Sequence, residues 1–255
     1  YDKALFSNSL VFDGTDDWID IENFSYDVYN SGDTKPFSIS VWFKMNEGLT
    51  SDNNHKGALF SDDNNLMLLA ANHVHGSHTR IYGLTGGIGE SNHGNGWEYY
   101  LALDTNWHHI VWTVEKNATN YAKNSLYIDG VQVQIRHGDG HSTGGANRGT
   151  GTFNAGTGYW EGNANFDEQT SEQLYRTTST LLISSGDQTS SVQSQWSAAH
   201  IGRDRSLEKY FPGSVSDLGF FNVTLDATNI TAIYNSGKPI DLTCDAGNYN
   251  NANNL

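Results

Sequence analysis

Two runs constrain this fold most: Trp107-His108-His109-Ile110-Val111-Trp112-Thr113-Val114 and Ser125-Leu126-Tyr127-Ile128-Asp129-Gly130. Both are rich in β-branched and aromatic residues, which suit a pleated, half-buried surface. Residues 115–124, between them, are polar and rich in Asn and Lys. The pattern reads as a hairpin that closes on a tight Asp-Gly turn. A chain organised around such a unit is an antiparallel β protein.

Other short runs repeat the signal. In Phe37-Ser38-Ile39-Ser40-Val41-Trp42-Phe43, the side chains of Phe37, Ile39, Val41 and Phe43 share one face. Ser9-Leu10-Val11-Phe12, Trp18-Ile19-Asp20-Ile21, Gly57-Ala58-Leu59-Phe60-Ser61, Leu66-Met67-Leu68-Leu69-Ala70, residues 98–103, Ala199-His200-Ile201-Gly202 and residues 213–221 read as further strands. Helix is expected only over 226–236, where Asp226 can cap, Ile230, Ile233 and Tyr234 form a stripe and Gly237 can end it. Many strands with one late helix imply a two-sheet antiparallel sandwich. Residues 71–97 and 133–198 are Gly-, Asn- and Ser-rich and look too long for plain connections. Within the second, residues 173–175 and 180–183 suggest an extra hairpin packed on the sandwich.

Charge and cysteine narrow the function classes. With 14 Lys and Arg against 29 Asp and Glu, the net charge is −15. Nucleic acids and anionic membranes attract basic surfaces, so neither is expected as a partner. An acidic chain suits a solvated surface and cation sites. Cys244 is the only cysteine, so no intrachain disulfide forms. No apolar run is long enough to span a bilayer. The sequence opens on Tyr1-Asp2-Lys3, which suggests a processed or excised piece of a longer chain.

Taken in order, Ser9-Leu10-Val11-Phe12-Asp13-Gly14, the Phe37–Phe43 run, Trp107-His108-His109-Ile110-Val111, Leu126-Tyr127-Ile128-Asp129-Gly130, His200-Ile201-Gly202-Arg203 and residues 211–221 carry a family resemblance. The chain resembles the laminin-G-like, or pentraxin-like, branch of the concanavalin A-like lectin/glucanase superfamily. The resemblance spans residues 9–237 and implies one jelly-roll domain over 1–240, an insertion over about 133–198, and a tail or linker over 241–255. Residues 233–239 also resemble repeats of this family in large marine bacterial and bacteriophage proteins. The long connection over 133–198 departs from the family pattern.

The resemblance also implies a structural calcium, with Asp13, Gly14 and Asp217 at the matching positions and Asp16 and Asp17 as further ligands. Calcium takes about six to eight hard oxygens, so carboxylates and carbonyls in a loop are suitable donors. The plainer alternative makes Asp13 a turn residue and Asp217 a partner of nearby backbone. The turn Asp62-Asp63-Asn64-Asn65 is a second loop-rim candidate, with Asp62 and Asn64 as ligand contacts, although it also reads as an ordinary solvated turn.

Sugar recognition needs exposed aromatic rings beside amides and carboxylates. Trp97, Tyr99, Tyr100, Tyr159, Trp160 and Trp196 are the candidate platforms, with Trp97 and Trp160 set amid Gly and Asn. Trp18, Trp42, Trp107 and Trp112 sit in alternating runs and read as core. His73, His75, His78, His137 and His141 match no metal-ligand spacing. His108 and His109 alternate on a strand and read as structural, one facing the core. Glycoside hydrolysis needs a carboxylate pair at fixed separation, and no Glu-x-Asp-x-Glu strand is present.

The expected protein is a non-catalytic recognition or adhesion domain. It would bind a glycan or cell-surface polysaccharide with calcium holding its loops, outside the cell or on a cell or virion surface. The competing expectation is a structural module that contacts copies of itself or other assembly proteins. A polysaccharide-cleaving enzyme comes third.

Overall fold

The structure is a computed structural model describing residues 9–22, 29–30, 33–34, 36–46, 57–62, 66–75, 77–85, 96–118, 121–133, 135–137, 152–154, 159–161, 180–184, 198–203 and 210–239. The first strands are β1 (Leu10–Asp13), β2 (Ile19–Glu22), β3 (Tyr29–Asn30), β4 (Asp33–Thr34), β5 (Phe37–Met45), β6 (Gly57–Asp62), β7 (Leu66–His75), β8 (His78–Thr85) and β9 (Gly96–Ala102). They are followed by β10 (Trp107–Ala118), β11 (Tyr121–Ile128), β12 (Val131–Val133), β13 (Arg136–His137), β14 (Thr152–Asn154), β15 (Tyr159–Glu161), β16 (Thr180–Ser184), β17 (Ala198–Ile201) and β18 (Pro212–Phe221). Helix α1 (Ala227–Tyr234) and a 3-10 turn (Asn235–Gly237) come last.

The strands form the antiparallel jelly-roll sandwich that the alternating runs imply. One sheet runs β1-β18-β5-β10-β11-β12, with β16 also on β11, and the other runs β13-β9-β8-β7-β6-β17-β2. Alternation decides which residues meet between them. Phe37, Ile39, Val41, Phe43, Ile110, Trp112, Val114, Leu126 and Ile128 face Phe60, Leu68, Ile81 and Trp97 in one core. Trp112 lies edge-on to both Phe37 and Trp97, with ring centroids 5.4 Å away in each case. Each large apolar side chain buried this way contributes about 1.5–3 kcal/mol.

The opposite face of the first sheet is also covered. Ile230 and Ile233 of α1 pack with Leu225 on Val111 and Phe221. Ser38 Oγ donates to Val223 O and accepts from Leu225 N–H, and Thr224 Oγ1 donates to Val114 O, which ties the lead-in to the sheet. Asp226 caps the helix by accepting from Asn229 N–H, as its position suggests. The helix ends two residues earlier than the sequence stripe implies, because Asn235 takes the left-handed cap conformation ahead of Gly237.

The β11–β12 connection is the tight turn read from Asp-Gly. Ile128 pairs with Val131, and Asp129 and Gly130 both have positive φ, 51° and 77°. That is the type I′ geometry, whose twist matches the strands it joins. Tyr234 covers the turn, so a Cβ at Gly130 would sit 2.6 Å from its ring.

One expectation changes. Residues 71–97 are not one loop: β7 and β8 extend into them and pair down to His75 and His78, and register shifts in β7 break the alternation that would have shown it. Residues 180–184 join the first sheet as β16, which pairs directly with β11. Residues 173–175, most of the 133–198 insertion and the tail at 241–255 lie outside the described residues.

Replacing Gly130 by Ala forces a side chain into left-handed backbone and into the Tyr234 ring. The expected loss is about 1–3 kcal/mol, read as a lower midpoint in denaturant unfolding.

Candidate binding site

The exposed edge of the second sheet gathers aromatic, cationic and acidic side chains. On β2, Ile19 and Ile21 pack against the core, as does Ile201 on the neighbouring β17. Alternation therefore turns Trp18 and Asp20 outward. The register sets Asp20 opposite His200. His200 Nδ1 lies 2.7 Å from Asp20 Oδ1, and Arg203 Nη2 donates to the same oxygen at 3.0 Å. The Arg203 guanidinium lies over the Trp18 indole at 4.6 Å, and the Tyr210 ring is 6.1 Å from Trp18.

The backbone fixes this group. Gly202 has φ +87° and Phe12 sits 2.5 Å from the place its Cβ would take, so only glycine fits. That turn at the end of β17 returns Arg203 toward Trp18. Phe211 N–H donates to Gly202 O and Ser61 Oγ donates to Arg203 O, both at 2.7 Å. Arg203 is buried, whereas Trp18 stays 42% exposed and the Asp20 side chain 48% exposed. Burial pushes the Asp20 pKa up, but hydrogen bonds from His200, Trp18 and Arg203 and the Arg203 charge outweigh it and hold the carboxyl below its usual value. The arrangement is an exposed indole, stiffened by a cation on its ring, beside an ionised carboxylate.

Sequence reasoning placed Trp18 in the core, and the structure corrects this. The missed signal was parity: Trp18 shares a face with Asp20, not with Ile19 and Ile21. The motif His200-Ile201-Gly202-Arg203 was legible as a fold marker but not as part of a site.

The other candidates fall as follows. Trp97 is 0% exposed and packs on Trp112, so it is no platform. Its β9 position faces the sheet interior, which outweighs the polarity of the preceding segment. Tyr99 points the same way and packs against the core. Trp160 and Tyr159 lie on β15, opposite Phe153 and Asn154 of β14, and their side chains are outside the described set. Asp62 pairs opposite Ala199 at the end of β6, and Asn64 lies outside the described residues.

Just before β2, Asp13, Asp16 and Asp17 are exposed and each offers a carboxylate oxygen, all within 4.8 Å of one another. Asp13 Oδ1 accepts from the N–H groups of Thr15 and Asp16, and Asp17 Oδ2 accepts from Asp13 N–H. Gly14 has φ +84°, and a Cβ added there would sit 2.8 Å from Pro212 Cβ, so this loop needs glycine. Asp217 does not join the group. Asp13 pairs with Pro212, and Asp217 lies five positions further along β18, on the order of 17 Å away. It occupies a bulge with φ 49°, where Ser216 Oγ donates to its carboxylate. The donors could hold a hard cation at 13–17, without Asp217.

His108 and His109 sit at the hairpin end. His108 Nδ1 lies 2.8 Å from Asp129 Oδ2 and its Nε2 lies 3.1 Å from Asp104 Oδ1. Burial lowers its pKa, but hydrogen bonds and charge from Asp129 and Asp104 outweigh this and raise it. His109 faces away from the inter-sheet core yet is fully buried, stacked with Trp42 and Tyr234. Its Nε2 bonds Ser40 Oγ at 2.8 Å, and burial drives its pKa from 6.5 to about 4. Both are held by neighbouring side chains of the fold, the packing that a structural reading expects. His73 and His75 are on β7, His78 on β8 and His137 on β13, and His141 lies outside the described residues.

A family model for the concanavalin A-like lectin/glucanases superfamily, of laminin G type, matches residues 13–169. The chain belongs to that superfamily, and the jelly-roll fold agrees with the membership. Among solved structures it is similar to a heptameric SAP-like pentraxin from Limulus polyphemus, with 11% identity over 78% of this chain and 70% of that one, TM-score 0.43. It is also similar to the receptor binding domain of botulinum neurotoxin C/D mosaic serotype, with 12% identity over 89% of this chain and 44% of that one, TM-score 0.45. A third is the NanB sialidase of Streptococcus pneumoniae (K499G mutant), with 13% identity over 86% of this chain and 26% of that one, TM-score 0.41. The chain thus spans less than half of the toxin and sialidase structures. No curated protein sequence matches it. No helix among the described residues is long and apolar enough to cross a membrane.

The adjacent histidines predict a two-sided pH profile. The folded pKa of His108 is above 6.5, so its stabilisation is fully present below pH 6.5 and is lost as pH rises through the folded value. His109 stays neutral in the fold down to about 4, so stability falls as pH drops from 6.5 toward 4, by about 3 kcal/mol in all. Melting temperature against pH should show both slopes in the wild type. His108→Asn should flatten the alkaline slope alone, and an unchanged alkaline slope would contradict the assignment.

Proposed function

We propose that the chain is a non-catalytic recognition domain that binds a glycan at the Trp18 edge of the second sheet. Membership of a lectin/glucanase superfamily supports a binding domain. The observation that carries the glycan reading is the exposed Trp18 ring, held by Arg203 beside the exposed Asp20 carboxylate. A sugar ring stacks its C–H face on an indole, and a carboxylate accepts from its hydroxyls. Asp20 is a poor general acid, because its hydrogen bonds hold the carboxyl ionised rather than protonated near neutral pH. An extracellular, cell-surface or virion-surface setting goes with this reading.

Calcium belongs to the same reading. Asp13, Asp16 and Asp17 would hold it, ordering the loop that leads into Trp18. The expected result is a melting temperature that rises with added calcium and falls with chelator. Paired Asp13→Asn and Asp17→Asn changes should abolish that difference, and a calcium response that survives them would place the ion elsewhere.

A structural role has one observation in its favour. Val11 of edge strand β1 is 69% exposed, and Leu10 beside it is exposed too. An apolar sheet edge invites a strand from a second copy. Sedimentation of the wild type against Val11→Lys tests this.

For the glycan reading, a glycan array should give signals that Trp18→Ala lowers by about tenfold or more in affinity, while Val131→Ala leaves them unchanged. Trp160→Ala is the companion variant: loss there with Trp18→Ala unchanged would move the site to β15.

A further inference from the structure

Resting on the glycan reading of the Trp18 edge, we infer that the site selects neutral sugars over acidic ones.

An acidic sugar needs a cation with donors within its reach. Among the described residues of this site the cation is Arg203, and its donors are turned inward. Its Nη2 donates to Asp20, its guanidinium lies over Trp18, and its Nε, which has no hydrogen-bond partner, is sealed from solvent in a buried residue. A carboxylate or sulfate on the ligand would instead meet Asp20, which accepts but cannot donate while ionised. Glu22 is exposed two positions beyond Asp20 on the same face of β2, and the whole chain carries −15. This negative field repels an anion.

What the site still offers is an apolar ring surface and a carboxylate that accepts hydrogen bonds. A neutral hexose supplies the matching groups, C–H bonds on one face and hydroxyl donors on its rim.

Calorimetric titration with two oligosaccharide classes at low and high salt tests this: neutral glucans, mannans and galactans, and acidic sialylated, uronic and sulfated sugars. The expected result is binding of a neutral class, nearly independent of salt, that falls about tenfold or more in Trp18→Ala and is largely restored in Trp18→Phe, which keeps an aromatic face. Circular dichroism in the near ultraviolet confirms that the variants are folded. Trp18-dependent binding of an acidic sugar, weakening as salt rises, would overturn the neutral selectivity while leaving glycan binding at this edge intact. If no class shows Trp18-dependent binding, the glycan reading itself fails and the inference goes with it.

Discussion

The burial of Ile19, Ile21, Ala199 and Ile201 between the sheets is the constraint on which the site depends. A strand offers its side chains to alternate faces, so once these residues face the core, their neighbours have no choice. Trp18, Asp20 and His200 must turn outward together. A register slip of one residue would put the isoleucines in water and the charges in the core, which the hydrophobic term strongly opposes. The same burial that holds the domain together therefore aligns the carboxylate, imidazole and indole on one surface.

Gly202 then adds what alternation cannot. It ends β17 in a conformation that side chains rarely adopt, and Phe12 leaves no room there for one. The chain turns, Arg203 comes back over Trp18, and a single guanidinium joins the ring to Asp20. A platform ordered before the ligand arrives loses less side-chain entropy on binding. The β11–β12 turn uses comparable means for a structural purpose. Asp129 takes a left-handed turn position, accepts from His109 N–H and engages His108, locking the hairpin beneath Tyr234.

Much of the fold was legible because period-2 runs such as 37–43 and 107–114 state both strand and face. The Asp129-Gly130 turn and the Asp226 cap were legible for local reasons of backbone and hydrogen bonding. The site was less so. Trp97 lies next to a Gly- and Asn-rich segment, but its place on β9 puts it against Trp112. Asp13 and Asp217 share motifs that suggest one metal shell, yet strand register sets Pro212 beside Asp13. Arg203 and Trp18 lie far apart in sequence, and only the pairing of β2 with β17 joins them. Such long-range register is not written in any local pattern.

The most direct measurement is a proton–nitrogen NMR spectrum of the indole groups of the seven tryptophans during titration with a neutral oligosaccharide. The Trp18 indole signal should shift with saturating ligand, while those of the buried Trp42, Trp97 and Trp112 stay in place. A Trp18 signal that does not move, with the shift appearing at Trp160 or at no tryptophan, would contradict recognition at this edge.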